Sequence, residues 1–132
     1  LRGLLEMKLW IDDVRPAPEG YTWCKSVNDA KLTILKVEQS RDMALAEAQF
    51  KIKHSIKEYQ RMLVIASRRE IELIDIDHDA GEFSSEGGDY IKLLDWLEET
   101  GRSYPIRIHS MNPVGVANMR AIIHRNGWKE IF

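Results

Sequence analysis

The chain holds a single cysteine, Cys24, so no internal disulfide can form and a reducing cytoplasm is the expected compartment. No apolar run approaches the ~20 residues of a membrane span, and "LRGLLEMKLWI" is interrupted by charges and lacks the layout of a signal peptide. Neither sign of charge is in real excess. With 19 Lys and Arg against 21 Asp and Glu, the formal net charge of -2 gives no general pull toward nucleic acid or a membrane. Glycine and proline are missing altogether from Tyr21 to Ala80, which removes the usual marks of a turn over that stretch. What is there is ordinary for a globular chain: 132 residues, 44% apolar and 30% charged, enough for one domain around one core. Met7 reads as a natural start, with Leu1 to Glu6 a fusion scar or an upstream extension.

"MKLWIDD" reads as a short buried strand ending in Asp12 and Asp13, and "VRPAPEGY" as a loop, because Pro16, Pro18 and Gly20 forbid regular structure. "YTWCKS" alternates and predicts a second strand; Ser26 with Asp29 three residues on has the form of a helix N-cap box. "EIELIDID" is a strand, "AGEFSSEGG" a loop, and "DYIKLLDWLEET" an amphipathic helix stopped by Gly101. "YPIRIHS" predicts a strand, and Asn112–Pro113 starts a last helix that Gly127 closes, before a terminal strand "WKEIF". This alternation argues a three-layer α/β domain with a mostly parallel sheet. Trp10, Trp23, Trp96 and Trp128 lie in apolar segments and read as core, as does Cys24.

From Val27 to about Ser67 the pattern is helical throughout, with Leu45, Ile52, Tyr59 and Ala66 seven residues apart and Ala48, Ile56 and Leu63 beside them. Forty helical residues would run ~60 Å, far beyond a domain of this size. Projection of this helix and pairing with a second copy of the chain is the expectation. The competing reading breaks it near Gln39–Ser40 into a hairpin. Lys51, Lys53, Lys57 and Arg61 read as a solvated helix face.

The chemistry collects at strand ends: Asp12–Asp13, Asp77–His78–Asp79, and His109–Ser110 with Asn112. In an open parallel sheet ligands bind beyond the carboxyl ends of the strands, so neighbouring first, third and fourth strands would bring all three clusters to one edge. Carboxylates crowded there repel, and a hard divalent cation such as Mg²⁺ would offset that; the alternative is plain solvation. Asp75 alternates with Ile74 and Ile76 and reads as capping a neighbouring element. His109 either transfers protons or orients its loop. The helix start at Asn112 offers amides and a positive dipole end to a phosphate, while His78 reads as a packed, hydrogen-bonded histidine.

"KLWIDDVRPAP", "DHDAG" followed by "GGDY", and "IHSMNPVGVANM" together resemble the cyclic-phosphate-processing receiver-like family, a relative of response-regulator receivers. The likeness covers about 7–26 and 71–131, leaving about 38–69 as a helical extension or insertion within one domain. It implies a flavodoxin-like, five-stranded sheet of order 2-1-3-4-5 and a divalent-cation site, Asp12, Asp13, Asp77 and Asp79 being its metal ligands. Asp77 matches the phosphoacceptor-type aspartate, Ser110 the hydroxyl residue after the fourth strand, and Asp79, His109 and Asn112 the family's own motif. The chain departs from true receivers in their lysine after the fifth strand, since Lys129 falls inside that strand. The resulting expectation is Mg²⁺-dependent, phosphoesterase-like processing of a cyclic or terminal phosphate on a small molecule or RNA end. Asp77 and His109 are its catalytic residues, and Ser110 and Asn112 hold the phosphate. A non-catalytic receiver-like module and a structural dimerisation domain are the alternatives.

Overall fold

The computed structural model describes residues 6–51, 55–67 and 70–132. Strands β1 (Glu6–Ile11), β2 (Tyr21–Cys24), β3 (Glu70–Ile76) and β4 (Ile106–Ile108) form one parallel sheet of order β2-β1-β3-β4. Helices α1 (Val27–Lys51) and α2 (Ile56–Ser67) connect β2 to β3, α3 (Ile91–Glu99) connects β3 to β4, and α4 (Pro113–Arg125) follows β4. Their starts and stops use local chemistry. The Ser26 hydroxyl accepts from the Asp29 amide ahead of α1, and Asn112 caps α4 with Pro113 at its first position.

Among the described residues, helices cover one face of the sheet. Leu9, Ile11, Ile71, Ile74, Ile76 and Ile106 share a buried cluster with Val27, Ala30, Ile34 and Val37 of α1, with Leu93, Leu94 and Leu97 of α3, and with Met119, Ile122 and Ile123 of α4. Of the residues of opposite parity, Lys8, Trp10, Tyr21, Trp23 and Leu73 are only half-buried while Asp75 is buried, and none of them joins that cluster. Two layers therefore replace the expected three. Right-handed crossovers running β2→β3→β4 across the sheet put every helix on the same side. Only the β1-to-β2 connection runs the other way, and it is the proline-bearing loop 12–20 instead of a helix. For the same reason Trp10 and Trp23 are not core residues; among the tryptophans only Trp128 is buried, and Trp96 lies half-buried beneath the Arg102 guanidinium, 4.5 Å from its ring centroid.

The fifth strand is reduced to one bridge. Glu130 pairs with Ile106, whose amide donates to Lys129 and whose carbonyl accepts from Ile131. With only three residues, β4 leaves its outer edge few groups for a full ladder to use.

The long helical segment neither runs on as one helix nor breaks at Ser40. α1 passes through Ser40 to Lys51, and the chain returns as α2 packed along it. The first half of α1 lies on the sheet through Val27, Ala30, Ile34 and Val37, while the second half buries Ala44 and Ala48 apart from that cluster. Of the heptad seam, Ala48 and Ala66 are buried, Leu45, Tyr59 and Leu63 half-buried, and Ile56 is 68% exposed. Ile52 and Lys53 lie outside the described residues.

Candidate functional site

Strand parity builds the site. β1 and β3 pair Trp10 with Asp75, and β3 and β4 pair Asp75 with Arg107. Two residues further on, all on that same face, come Asp12, Asp77 and His109. Asp12 and Asp77 are buried and His109 nearly so, and one ligating atom from each lies within 4.8 Å of the others.

His109 is held between two buried carboxylates. Its Nδ1 lies 2.7 Å from Asp75 Oδ1 and its Nε2 2.9 Å from Asp12 Oδ2, while the Trp10 indole stacks flat on the ring at 3.8 Å between centroids. Asp12 Oδ1 accepts from the amides of Val14 and Arg15, which folds the loop onto the site. Burial pushes the Asp12 carboxyl up, but those two amides and His109 outweigh it and hold the group below its ordinary range. Asp77 Oδ1 accepts from the His78 amide. Arg15 reaches over the site, its Nη1 donating to the His109 carbonyl at 3.0 Å with the side chain 46% exposed.

The other candidates turn elsewhere. The Asp13 carboxylate rests against Gly81, where a Cβ would collide with it and where φ is +55°. Asp79 is 65% exposed and bonds His78 Nδ1 at 2.9 Å. His78 itself packs on Gly115 at the start of α4, so any larger residue at 115 would displace the ring. Among the described residues the group of potential metal ligands contains Asp12, Asp77 and His109, without Asp13 or Asp79. Ser110 Oγ accepts from the Asn112 amide, and Asn112 Oδ1 accepts from the Gly115 amide, so both side chains are engaged in starting α4. Asp89 reaches back to the Ala80 amide and ties "GGDY" to "DHDAG". Lys129 lines a cavity with Lys8, Glu72, Leu73 and Pro105, toward the amino ends of the strands, and Asp77 is not among its walls.

Three residues in contact with His109 were not placed at the site by the sequence reading: Asp75, Trp10 and Arg15. For Asp75 the signal was present. Asp75 and Asp77 differ by two and so share a face, as do Arg107 and His109 on the neighbouring strand.

The donor set fits a divalent cation. Two buried carboxylates match a hard ion such as Mg²⁺, and the imidazole admits Mn²⁺ as well. Asp75 behind His109 gives the carboxylate–histidine arrangement that orients a ligating or proton-carrying imidazole.

The family profile for the cyclic-phosphate processing receiver domain matches residues 33–125. The match spans β3 to α4, with Asp77, Asp79, His109, Ser110 and Asn112, and begins after the Asp12–Asp13 pair. No curated protein and no solved structure matched the chain. The chain belongs to the cyclic-phosphate processing receiver family, as its three motifs led us to expect.

Proposed function

From that membership we propose that the domain is a divalent-cation-dependent phosphoesterase acting on a cyclic or terminal phosphate. The observation that carries the reading is the Asp75–His109–Asp12 chain beside Asp77. Asp75 fixes Nδ1, and Nε2, which Asp12 Oδ2 meets at 2.9 Å, is the nitrogen that would take up a proton from an attacking water once Asp12 turns from it. Asp12 and Asp77, with Asp13 and Asp79 nearby in sequence, are the residues that would hold Mg²⁺ or Mn²⁺. The cation, when bound, would polarise the phosphoryl group. Arg15 offers a guanidinium fork to phosphate oxygens at the mouth of the site, and the start of α4, with Ser110 and Asn112, offers main-chain amides. Stacking on Trp10 holds the imidazole plane in place.

The reading in which Asp77 accepts a phosphoryl group, as in a signalling receiver, has the same carboxylates in its favour. Against it, Lys129, the candidate for a receiver's lysine, lines a cavity with Lys8, Glu72 and Pro105 whose walls do not include Asp77. Incubation with 2′,3′-cyclic nucleotides and Mg²⁺ or Mn²⁺, followed by chromatography of the ring-opened product, separates the two. Turnover that His109→Asn abolishes is the expected result. No turnover, together with labelling of Asp77 by a small phosphodonor, would replace the phosphoesterase with the signalling module.

A further inference from the structure

A second cavity opens beyond the carboxyl end of β2. It measures about 590 Å³ and is walled by Trp23, the start of α1 and the 3-10 turn Gly81–Ser85, with Lys25, Asn28, Leu32, Phe83 and Glu86 around it. That volume is within the usual range of small-molecule sites, roughly 300–1,000 Å³.

Two of its walls are anchored by hydrogen bonds. The Trp23 indole N–H donates to the Asp12 carbonyl at 2.7 Å, which fixes the ring plane. The Asn28 amide donates to the Glu86 carbonyl at 3.1 Å, tying α1 to the segment that carries Phe83. The Lys25 ammonium lies 4.5 Å from the Trp23 ring centroid, so one π-face already receives a displaceable cation. Leu32, an apolar residue 56% exposed, completes the aromatic wall. At the rim, Asn28 brings an amide that donates and accepts, and Glu86 a carboxylate that accepts.

The cavity also shares a border with the acidic cluster. The Trp23 indole donates to the main-chain carbonyl of Asp12, and the Asp13 carboxylate abuts Gly81, the first residue of the turn that carries Phe83. That border gives a ligand whose phosphate lies at the acidic cluster a direction in which to extend toward this cavity. Two rings, an apolar side wall and an amide rim suit a flat heterocycle with hydrogen-bonding edges. The carboxylate at the rim disfavours a second phosphate there.

We propose that this cavity is a nucleobase subsite, with Trp23 and Phe83 stacking the base, and Asn28 and Glu86 reading its edge. The proposal rests on the phosphate-processing reading for where the rest of the nucleotide lies, but its test stands apart from that reading. Stacking of one base on an aromatic side chain is worth ~1–3 kcal/mol, so loss of one wall should weaken binding about tenfold.

Calorimetric titration of the full chain with adenosine, 2′,3′-cyclic AMP and glycerol 1,2-cyclic phosphate, in the presence of Mn²⁺, provides the test. Adenosine should bind the wild type and Asp77→Asn alike. Phe83→Ala and Leu32→Glu should each weaken adenosine and 2′,3′-cyclic AMP about tenfold, while binding of the base-free cyclic phosphate stays at the wild-type level. Leu32 lies at the surface, so its variant keeps the test open should Phe83→Ala fold poorly. A wild type that does not bind adenosine, or a Leu32→Glu variant that binds it as well as the wild type, overturns the subsite. Asp77→Asn should weaken both cyclic phosphates; if it weakens neither while adenosine still binds, the subsite stands and the phosphate reading falls.

Discussion

Asp77→Asn should make the cation-free protein more stable and the cation-supplemented protein less so. The substitution preserves size and keeps an oxygen to accept the His78 amide, which Asp77 Oδ1 does at 2.8 Å. What it removes is a negative charge whose ligating atom lies within 4.8 Å of that of buried Asp12. At an effective dielectric near 20, two like charges at that separation repel by about 3 kcal/mol. The hydrogen bond from Asp12 to His109 absorbs part of this, so the net gain in the cation-free variant is roughly 1–2 kcal/mol. For the wild type, Mg²⁺ or Mn²⁺ at a hundred times its dissociation constant adds about 2.7 kcal/mol, because the ion binds only the folded chain. In a domain of this length that moves the melting midpoint by roughly 10 °C. Melts followed by circular dichroism, with chelator and with a titrated cation, read both effects. The variant should melt above the wild type in chelator and stay there when cation is added. A wild-type midpoint indifferent to cation, or a variant that shifts as far as the wild type, refutes the metal site.

Asp75→Asn should lower turnover of a cyclic nucleotide about 10- to 100-fold with little change in KM, since a charged hydrogen bond worth ~1.5–3 kcal/mol fixes His109 Nδ1; an unchanged kcat would show that His109 needs no orienting carboxylate. Burial pushes the Glu38 carboxyl up, but Arg102, Tyr104 and Arg41 outweigh it, so its folded pKa lies below the ordinary value. That stabilisation is present above the ordinary carboxylate pKa and is lost as pH falls through the folded one. Glu38→Gln should therefore cost about 1–2 kcal/mol at pH 7 and flatten the decline in urea midpoint as pH falls below the ordinary carboxylate range; a decline as steep as the wild type's would assign it to other groups. Cys24 is fully buried and its thiol is pushed up to about 12 by burial, so iodoacetamide at pH 8 should label it only in denaturant. Because Ala48 and Ala66 are buried inside the described helix hairpin, Ile56→Glu at its exposed surface should leave the sedimentation coefficient unchanged; a wild-type dimer that this variant splits would instead establish pairing through the hairpin.

Local pattern was enough to place most elements. Alternation in "MKLWI" and "EIELIDI", the Ser26 and Asn112 caps and the stop at Gly101 mark strands and helix ends through short-range sterics and hydrogen bonding, which need no distant partner. The motifs around Asp12, Asp77 and His109 likewise named the family and the edge of the sheet where the chemistry collects. Three things depended on contacts distant in sequence. Whether the second face of the sheet is covered turns on crossover handedness and on what spans residues 12–20. Within Val27–Ser67 no Gly or Pro marks the turn. The local sign is Ser55, whose hydroxyl accepts from the Glu58 amide at 3.2 Å at the start of α2. Such a cap shows where a helix can begin without showing that α2 packs back along α1. The partner of Asp75 was decided by strand register. Asp75 and His109 stand 34 residues apart, and only the pairing of β3 with β4 brings a carboxylate that looks like a capping residue in sequence to within 2.7 Å of the histidine it holds.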